Sequence, residues 1–218
     1  MSINRKPAFM HIMFKRLLII GLFIVGSLSV SYADSPLTST EFWKIHSKNV
    51  DGKEQFSLYK TFDESGWGNK VMEILCSSKE SVENRLCLVN YISWKTDGQN
   101  HYTDLVNFYC QQKGISNQKD VFKDMSGEMM IIFAYVKAMD NYSNVSEAIK
   151  IANKAVNLSP KSRAVNMIAA LIKAQAAMDS DWSKVYKLCH DVEINKSLTN
   201  DFSDAAVQAI MEYINLYK

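Results

Sequence analysis

The residues of this chain with the most definite chemistry are its four cysteines, Cys76, Cys87, Cys110 and Cys189. Cys76 ends one apolar helical pattern, and Cys87 lies early in the next, with a polar segment between them. Two helices joined by so short a connection lie close together, so the Cα separation of about 4.4–6.8 Å that a disulfide requires can be met near the turn. Buried free thiols are the alternative, because unpaired cysteines in helical cores are usually buried. The compartment of the protein decides between the two.

Motifs for enzymatic chemistry are otherwise missing from the sequence. The chain has no His-Glu-x-x-His, Cys-x-x-Cys or Gly-x-Ser-x-Gly motif and no glycine-rich phosphate loop. Cys189 and His190 are neighbours on a helical pattern, where successive side chains point about 100° apart and do not converge on one substrate atom. We therefore predict that the protein is not an enzyme, that it holds no metal or other cofactor, and that it acts by binding.

The first 33 residues predict a secretory signal peptide. Basic residues precede the apolar run LLIIGLFIVGSL, and the small residues Ser31 and Ala33 form a cleavage site. The run is too short to span a bilayer comfortably, and an uncleaved membrane anchor is the alternative. We expect cleavage after Ala33, a periplasmic location and no membrane span once the signal is removed.

Removal of this segment changes the net charge and leaves every cysteine in place. The chain has 25 basic and 23 acidic residues, and subtracting the four basic residues of positions 1–33 leaves 21 against 23, a net charge of −2. Without a basic stripe, nucleic acid is not an expected partner. An even number of cysteines in an oxidising compartment favours two disulfides, with three connectivities open. We predict bonds between Cys76 and Cys87 and between Cys110 and Cys189.

Apolar spacing in residues 34–218 predicts an all-α fold, a disulfide-stabilised helical bundle. Alternating strand patterns are absent. Thr38-x-x-Glu41 is a capping box, which predicts a short helix after it. The run MMIIFAYV, residues 129–136, is apolar on nearly every side and predicts a buried helix.

We divide residues 34–218 into three parts, of which the last has a repeat-like pattern. Ala148, Ala152 and Ala155 followed by Pro160 have the spacing of the second helix of a tetratricopeptide repeat. A degenerate pair of helical hairpins and an ordinary alanine-rich bundle both fit, since alanine is the best helix former. The three parts are an N-terminal helical or irregular extension (34–66), a helical core (67–142) and C-terminal helical hairpins packed on the core (143–218).

An ordered set of residues in the middle of the chain, about 66–130, carries a family resemblance. The positions are Gly68, Asn69, Cys76, Cys87, Tyr91, Ile92, Asp97, Cys110, Gly114, Ile115 and Gln118. In order and spacing they resemble the Rap/Tai family of immunity proteins. The sequence departs from the family where Trp94 stands near an expected glycine, where Gln112 replaces a proline, and where the fourth cysteine lies far along the chain.

The resemblance implies an exported, disulfide-stabilised, all-helical protein that binds and blocks a toxin delivered by a type VI secretion system. The toxins of that family are peptidoglycan amidases, so the expected partner is a secreted peptidoglycan amidase whose active site is occluded. A homodimer is also compatible with such a role.

The loop from Trp94 to His101 is our candidate for the element that contacts a partner. It is polar, rich in turn residues and flanked by aromatic residues, a mixture typical of interface anchors. The alternative is that its aromatic residues pack the helix junction. The candidate partner-binding residues are Trp94, Lys95, Asp97, Gln99 and His101.

A second function also fits the sequence. In this alternative the protein is a periplasmic all-helical scaffold without a toxin partner. Its repeat-like C-terminal third would then offer a groove to a peptide or an envelope protein.

Overall fold

The computed structural model describes residues 35–46, 57–92, 98–178 and 180–218, and these ranges contain nine α-helices and no strand. The predicted all-α class is confirmed. Asp34–Lys218 form one unit, and the predicted signal peptide lies outside the described residues. None of the helices in the described ranges is long and apolar enough to cross a bilayer. The helices are α1 (Ser57–Ser65), α2 (Asn69–Leu75), α3 (Val82–Ile92), α4 (His101–Lys113), α5 (Gly127–Asp140), α6 (Ser146–Leu158), α7 (Arg163–Ala177), α8 (Trp182–Glu193) and α9 (Asp204–Ile214).

Serine caps begin four of these helices. At the start of α3, the Ser81 hydroxyl accepts a hydrogen bond from the backbone N–H of Asn84 at 3.1 Å. The hydroxyl groups of Ser126, Ser162 and Ser203 accept hydrogen bonds from the backbone N–H three residues on, at 3.2, 3.0 and 3.2 Å. Each bond satisfies one of the N–H groups that the first turn of a helix leaves without an intrahelical partner. The starts of α3, α5, α7 and α9 are therefore set locally.

Helices α5 to α8 form two successive hairpins. The start of α5 precedes that of α7 by 36 residues (127 to 163), and the start of α6 precedes that of α8 by 36 residues (146 to 182). Within each hairpin the two helices pack together, and α7 also packs against both helices of the first hairpin. Stacking of this kind gives helical repeat proteins a continuous core. The first hairpin begins at Gly127, inside the predicted core (67–142), so the two hairpins do not coincide with the predicted C-terminal part (143–218).

Helix α5 is the centre of the molecule. It packs against α3, α4, α6 and α7, and Phe133 and Tyr135 within it are completely buried. Gly127 at its start permits the closest approach, because a Cβ atom there would lie 2.5 Å from the carbonyl oxygen of Ala155 in α6. The predicted burial of the MMIIFAYV run is confirmed.

Residues 35–46, which we call the N-terminal segment, contain the short helix that the capping box predicts, as a 3₁₀ helix instead of an α-helix. Turns lead into a short 3₁₀ helix, Phe42–His46. The Thr38 hydroxyl lies 2.8 Å from that of Ser35, and Thr40 donates a hydrogen bond to the carbonyl oxygen of Pro36 at 2.6 Å. The hydroxyl groups therefore stabilise turns within the segment.

The two predicted disulfides are absent, and that prediction is wrong. All four cysteines are buried free thiols. Cys76 lies close to Arg85 and Lys113, whereas Cys87 lies against Tyr59. Although α2 and α3 are neighbours, as the sequence predicts, the two sulfur atoms have different surroundings.

The second predicted pair fails for a different reason. Cys110 is on α4, which packs against α2 and α5, and Cys189 is on α8, which packs against α7 and α9. Burial raises the pKa of Cys76 and of Cys189 to about 12, so these thiols stay protonated at neutral pH. The fold is held by packing and hydrogen bonds instead of crosslinks.

Candidate functional site

The predicted contact loop is only partly described. Trp94, Lys95 and Asp97 lie outside the described residues, while Gln99 is exposed. His101 is the first residue of α4, and its side chain is only 12% exposed. Of the two described candidates, Gln99 faces solvent and His101 belongs to the packed base of the loop.

A single residue, Asp140 at the end of α5, holds that base. Its carboxylate Oδ2 accepts a hydrogen bond from the backbone N–H of Tyr102 at 2.7 Å, at the start of α4. Its backbone carbonyl accepts a hydrogen bond from the N–H of Gly98 at 3.0 Å. A carboxylate at a helix N-terminus is favourable because it meets unpaired N–H groups and the positive end of the helix dipole. Asp140 therefore ties the last residues of the loop to the most buried helix.

Buried polar atoms lie close to the hydrogen bonds of Asp140. The rings of Trp67 and His101 are 4.3 Å apart, and His101 Nδ1 lies 3.7 Å from Asp140 Oδ1. Within the described ranges, Trp67 Nε1, His101 Nδ1 and Asp140 Oδ1 are all buried without a hydrogen-bond partner. We call Trp67, His101 and Asp140 the loop-base cluster.

The surroundings of the loop-base cluster disfavour the charged forms of Asp140 and His101. Burial raises the pKa of Asp140 to about 6, although the hydrogen bond from Tyr102 and the nearby Lys137 act in the other direction. Burial also lowers the pKa of His101, and Asp104 opposes that change. Among the described residues no group of three or more His, Cys, Asp or Glu side chains could hold a metal ion. The arrangement positions a loop and supplies a group that titrates in mildly acidic solution.

A second site was not anticipated from the sequence. Five side chains from distant parts of the fold surround the N-terminal segment, and we call them the groove. They are Tyr59 of α1, Asn90 of α3, Tyr135 of α5, Gln175 of α7, and Phe202, which precedes α9.

Asn90 is the main polar contact in the groove. Its Oδ1 accepts from the N–H of Trp43 at 3.0 Å, and its Nδ2 donates to the carbonyl oxygen of Thr40 at 3.1 Å. Nδ2 also donates to the hydroxyl of Tyr135 at 2.9 Å. Because Asn90 is 1% exposed, these bonds replace water for a buried amide. One side chain thus holds the backbone of the segment at two points.

Two further side chains hold the same backbone. Gln175 Oε1 accepts from the N–H of Leu37 at 3.4 Å, and the Tyr59 hydroxyl donates to the carbonyl oxygen of Trp43 at 2.8 Å. A polar residue inside an apolar helical pattern, as in LCLVNYI around Asn90, is the sequence signal that could have indicated this site.

The apolar side chains of the segment fill the space between these bonds. Leu37 and Phe42 are both completely buried. The ring of Phe42 lies 6.2 Å from that of Tyr135 in a stacked arrangement and 5.5 Å from that of Phe202 edge-on. Such aromatic contacts add to the free energy of burial. The segment is therefore held by backbone hydrogen bonds and by the burial of Leu37 and Phe42.

Comparisons with known proteins identify no family for the chain. No family model matches the chain. Searches of curated proteins and of solved structures also found no match. The resemblance to Rap/Tai proteins therefore stays a prediction from the sequence.

Proposed function

We propose that the chain is an exported binding protein that inhibits a secreted peptidoglycan amidase by contact, with the 94–101 loop as the inhibitory element. The observation that carries the proposal is the hold of Asp140 on both Gly98 and Tyr102. The resemblance to Rap/Tai immunity proteins supplies the class of partner.

A fixed loop base suits inhibition. Ordering a loop during association costs free energy, so a loop whose end is already held binds more tightly than a free one of the same composition. Inhibition needs only a surface complementary to an active-site cleft. The polar loop would supply the rim contacts and its aromatic residue Trp94 the anchor.

The test compares two double variants of the full chain. Lys95→Ala with Gln99→Ala removes one cation and one amide from the loop. Lys196→Ala with Asn200→Ala removes the same groups from an exposed connection between α8 and α9. Tagged wild-type protein is first used to isolate partners from the periplasm of the native organism, and hydrolysis of purified peptidoglycan by the captured amidase is then measured.

We expect wild type and the α8–α9 variant to inhibit the amidase equally and the loop variant to inhibit it at least about tenfold less, which corresponds to about 1.4 kcal/mol. Recovery of no amidase would contradict the proposed partner. Equal inhibition by all three proteins would contradict the role of the loop.

The two hairpins with a 36-residue spacing favour a second candidate, a periplasmic scaffold. Its partner would contact exposed apolar residues of the C-terminal third, and Trp182 of α8 is 65% exposed. In this case Trp182→Ala would reduce capture of an envelope protein while the loop variant would not. Truncation at residue 142 is a poor test, because α6 and α7 cover the buried α5.

A further inference from the structure

We propose that the groove is a peptide-binding site whose internal ligand is the N-terminal segment, and that a second copy of the chain can supply the same segment in exchange. This inference concerns residues 35–46 and the groove, and it is independent of the toxin-inhibitor proposal.

The first argument is that side chains of other elements hold the backbone of the segment. Four of its backbone groups bond to side chains of other elements: the N–H groups of Leu37 and Trp43 and the carbonyl groups of Thr40 and Trp43. Their partners lie on α1, α3 and α7. Side-chain amides that form hydrogen bonds with a backbone can recognise a peptide without contacting each of its side chains. The groove therefore has the contacts of a peptide receptor.

The internal contacts of the segment are the second argument. The hydroxyl groups of Ser35, Thr38 and Thr40 form hydrogen bonds within the segment, so they need no hydrogen-bond partner in the groove. Leu37 and Phe42, five positions apart, are both completely buried, and the ring of the half-buried Trp43 lies 5.1 Å from that of Tyr91. A peptide with an aliphatic residue, an aromatic residue five positions later and small hydroxyl residues between them would fit in the same way.

A second copy is the occupant that the structure supports best, because its segment is identical to the one already bound. Exchange of an identical element between copies preserves every contact and is a common route to dimers. In a single chain the tethered segment competes at an effective concentration that reaches the mM range for short linkers. External ligands should therefore bind poorly until the internal contact is weakened.

The test uses the full chain with Phe42→Ala, which removes the ring between Tyr135 and Phe202 and leaves the groove intact. The probe is a fluorescent synthetic peptide of residues 35–46, SPLTSTEFWKIH, and binding is measured by anisotropy. The control peptide carries the same Phe42→Ala change. The control protein carries Asn90→Leu as well, which replaces the amide by an apolar side chain of the same branched shape.

We expect the Phe42→Ala protein to bind the wild-type peptide on the order of 100-fold more tightly than it binds the control peptide, because a buried Phe is replaced by Ala. The Phe42→Ala protein should also bind the wild-type peptide more tightly than the wild-type protein does, because its own altered segment competes less well for the groove. The added Asn90→Leu change should abolish binding.

Exchange between copies is tested by mixing two full-length variants, Phe42→Ala with an intact groove and Asn90→Leu with an intact segment. Light scattering should show a species of twice the chain mass in the mixture and not in either protein alone. Peptide binding without this species would overturn exchange between copies. A helical, cooperatively melting Phe42→Ala protein that fails to bind the peptide would overturn the whole inference, and Phe42→Leu replaces it if Phe42→Ala does not fold.

Discussion

The loop-base cluster predicts an unusual dependence of stability on pH. The pKa of Asp140 is about 6 in the folded protein, against an ordinary value of 3.8. The folded protein therefore binds this proton more tightly than the unfolded chain does. As the pH falls through 6 towards 3.8, this one group adds to the free energy of unfolding, whereas an ion-paired carboxylate would subtract from it.

The size of the effect follows from the difference between the two pKa values. A gap of about 2 pKa units at 1.36 kcal/mol each corresponds to at most about 3 kcal/mol, of which about 2 kcal/mol is present at pH 4.5. His101 acts in the opposite sense, because its lowered pKa makes the unfolded chain bind the proton first as the pH falls. The charged neighbours Lys137 and Asp104 are the other groups that influence Asp140.

Substitution of Asp140 isolates its contribution. Urea unfolding of wild type and Asp140→Asn is measured at about pH 7 and about pH 4.5, and the difference between the proteins is compared at the two values. We expect wild type to gain about 2 kcal/mol relative to the variant at the lower pH. The control Asp120→Asn removes a carboxyl group at an exposed position outside the loop-base cluster. Parallel profiles for wild type and Asp140→Asn would show that burial does not perturb this carboxyl and would refute the reasoning.

Three further outcomes test the fold. Gly127→Ala should lower the free energy of unfolding, measured in urea, by about 1–3 kcal/mol, because its Cβ would lie 2.5 Å from the carbonyl oxygen of Ala155. An unchanged unfolding midpoint would contradict the close approach of α5 and α6. Phe42→Ala should cost about 3–5 kcal/mol in the same assay, since the ring is completely buried. All four cysteines should resist alkylation in the native protein and react in urea without prior reduction, as mass spectrometry would show; a requirement for reductant would indicate a disulfide.

Local patterns predicted the features of the fold that are themselves local. The apolar run of residues 129–136 identified the most buried helix, and the alanine spacing in α6 indicated a tight helical hairpin. Both signals arise from neighbours within one or two turns, which is the range over which periodicity is informative.

Features set by distant contacts escaped prediction. Asn90 and Trp43 are 47 residues apart, and Leu37 and Gln175 are 138 residues apart, so no local pattern connects them. The pairing of Cys76 with Cys87 failed because the adjacent helices were identified correctly while the rotation of each helix about its axis was not. That rotation depends on the whole core, and it directs Cys87 towards Tyr59.

Burial of the N-terminal segment imposes an order of events on the export proposed above. Ser35, two positions after the expected cleavage point, is 1% exposed. A peptidase needs an extended, accessible substrate, so it must act before this stretch docks. If the leader is removed as proposed, docking of this stretch would follow cleavage and would be the last step of folding.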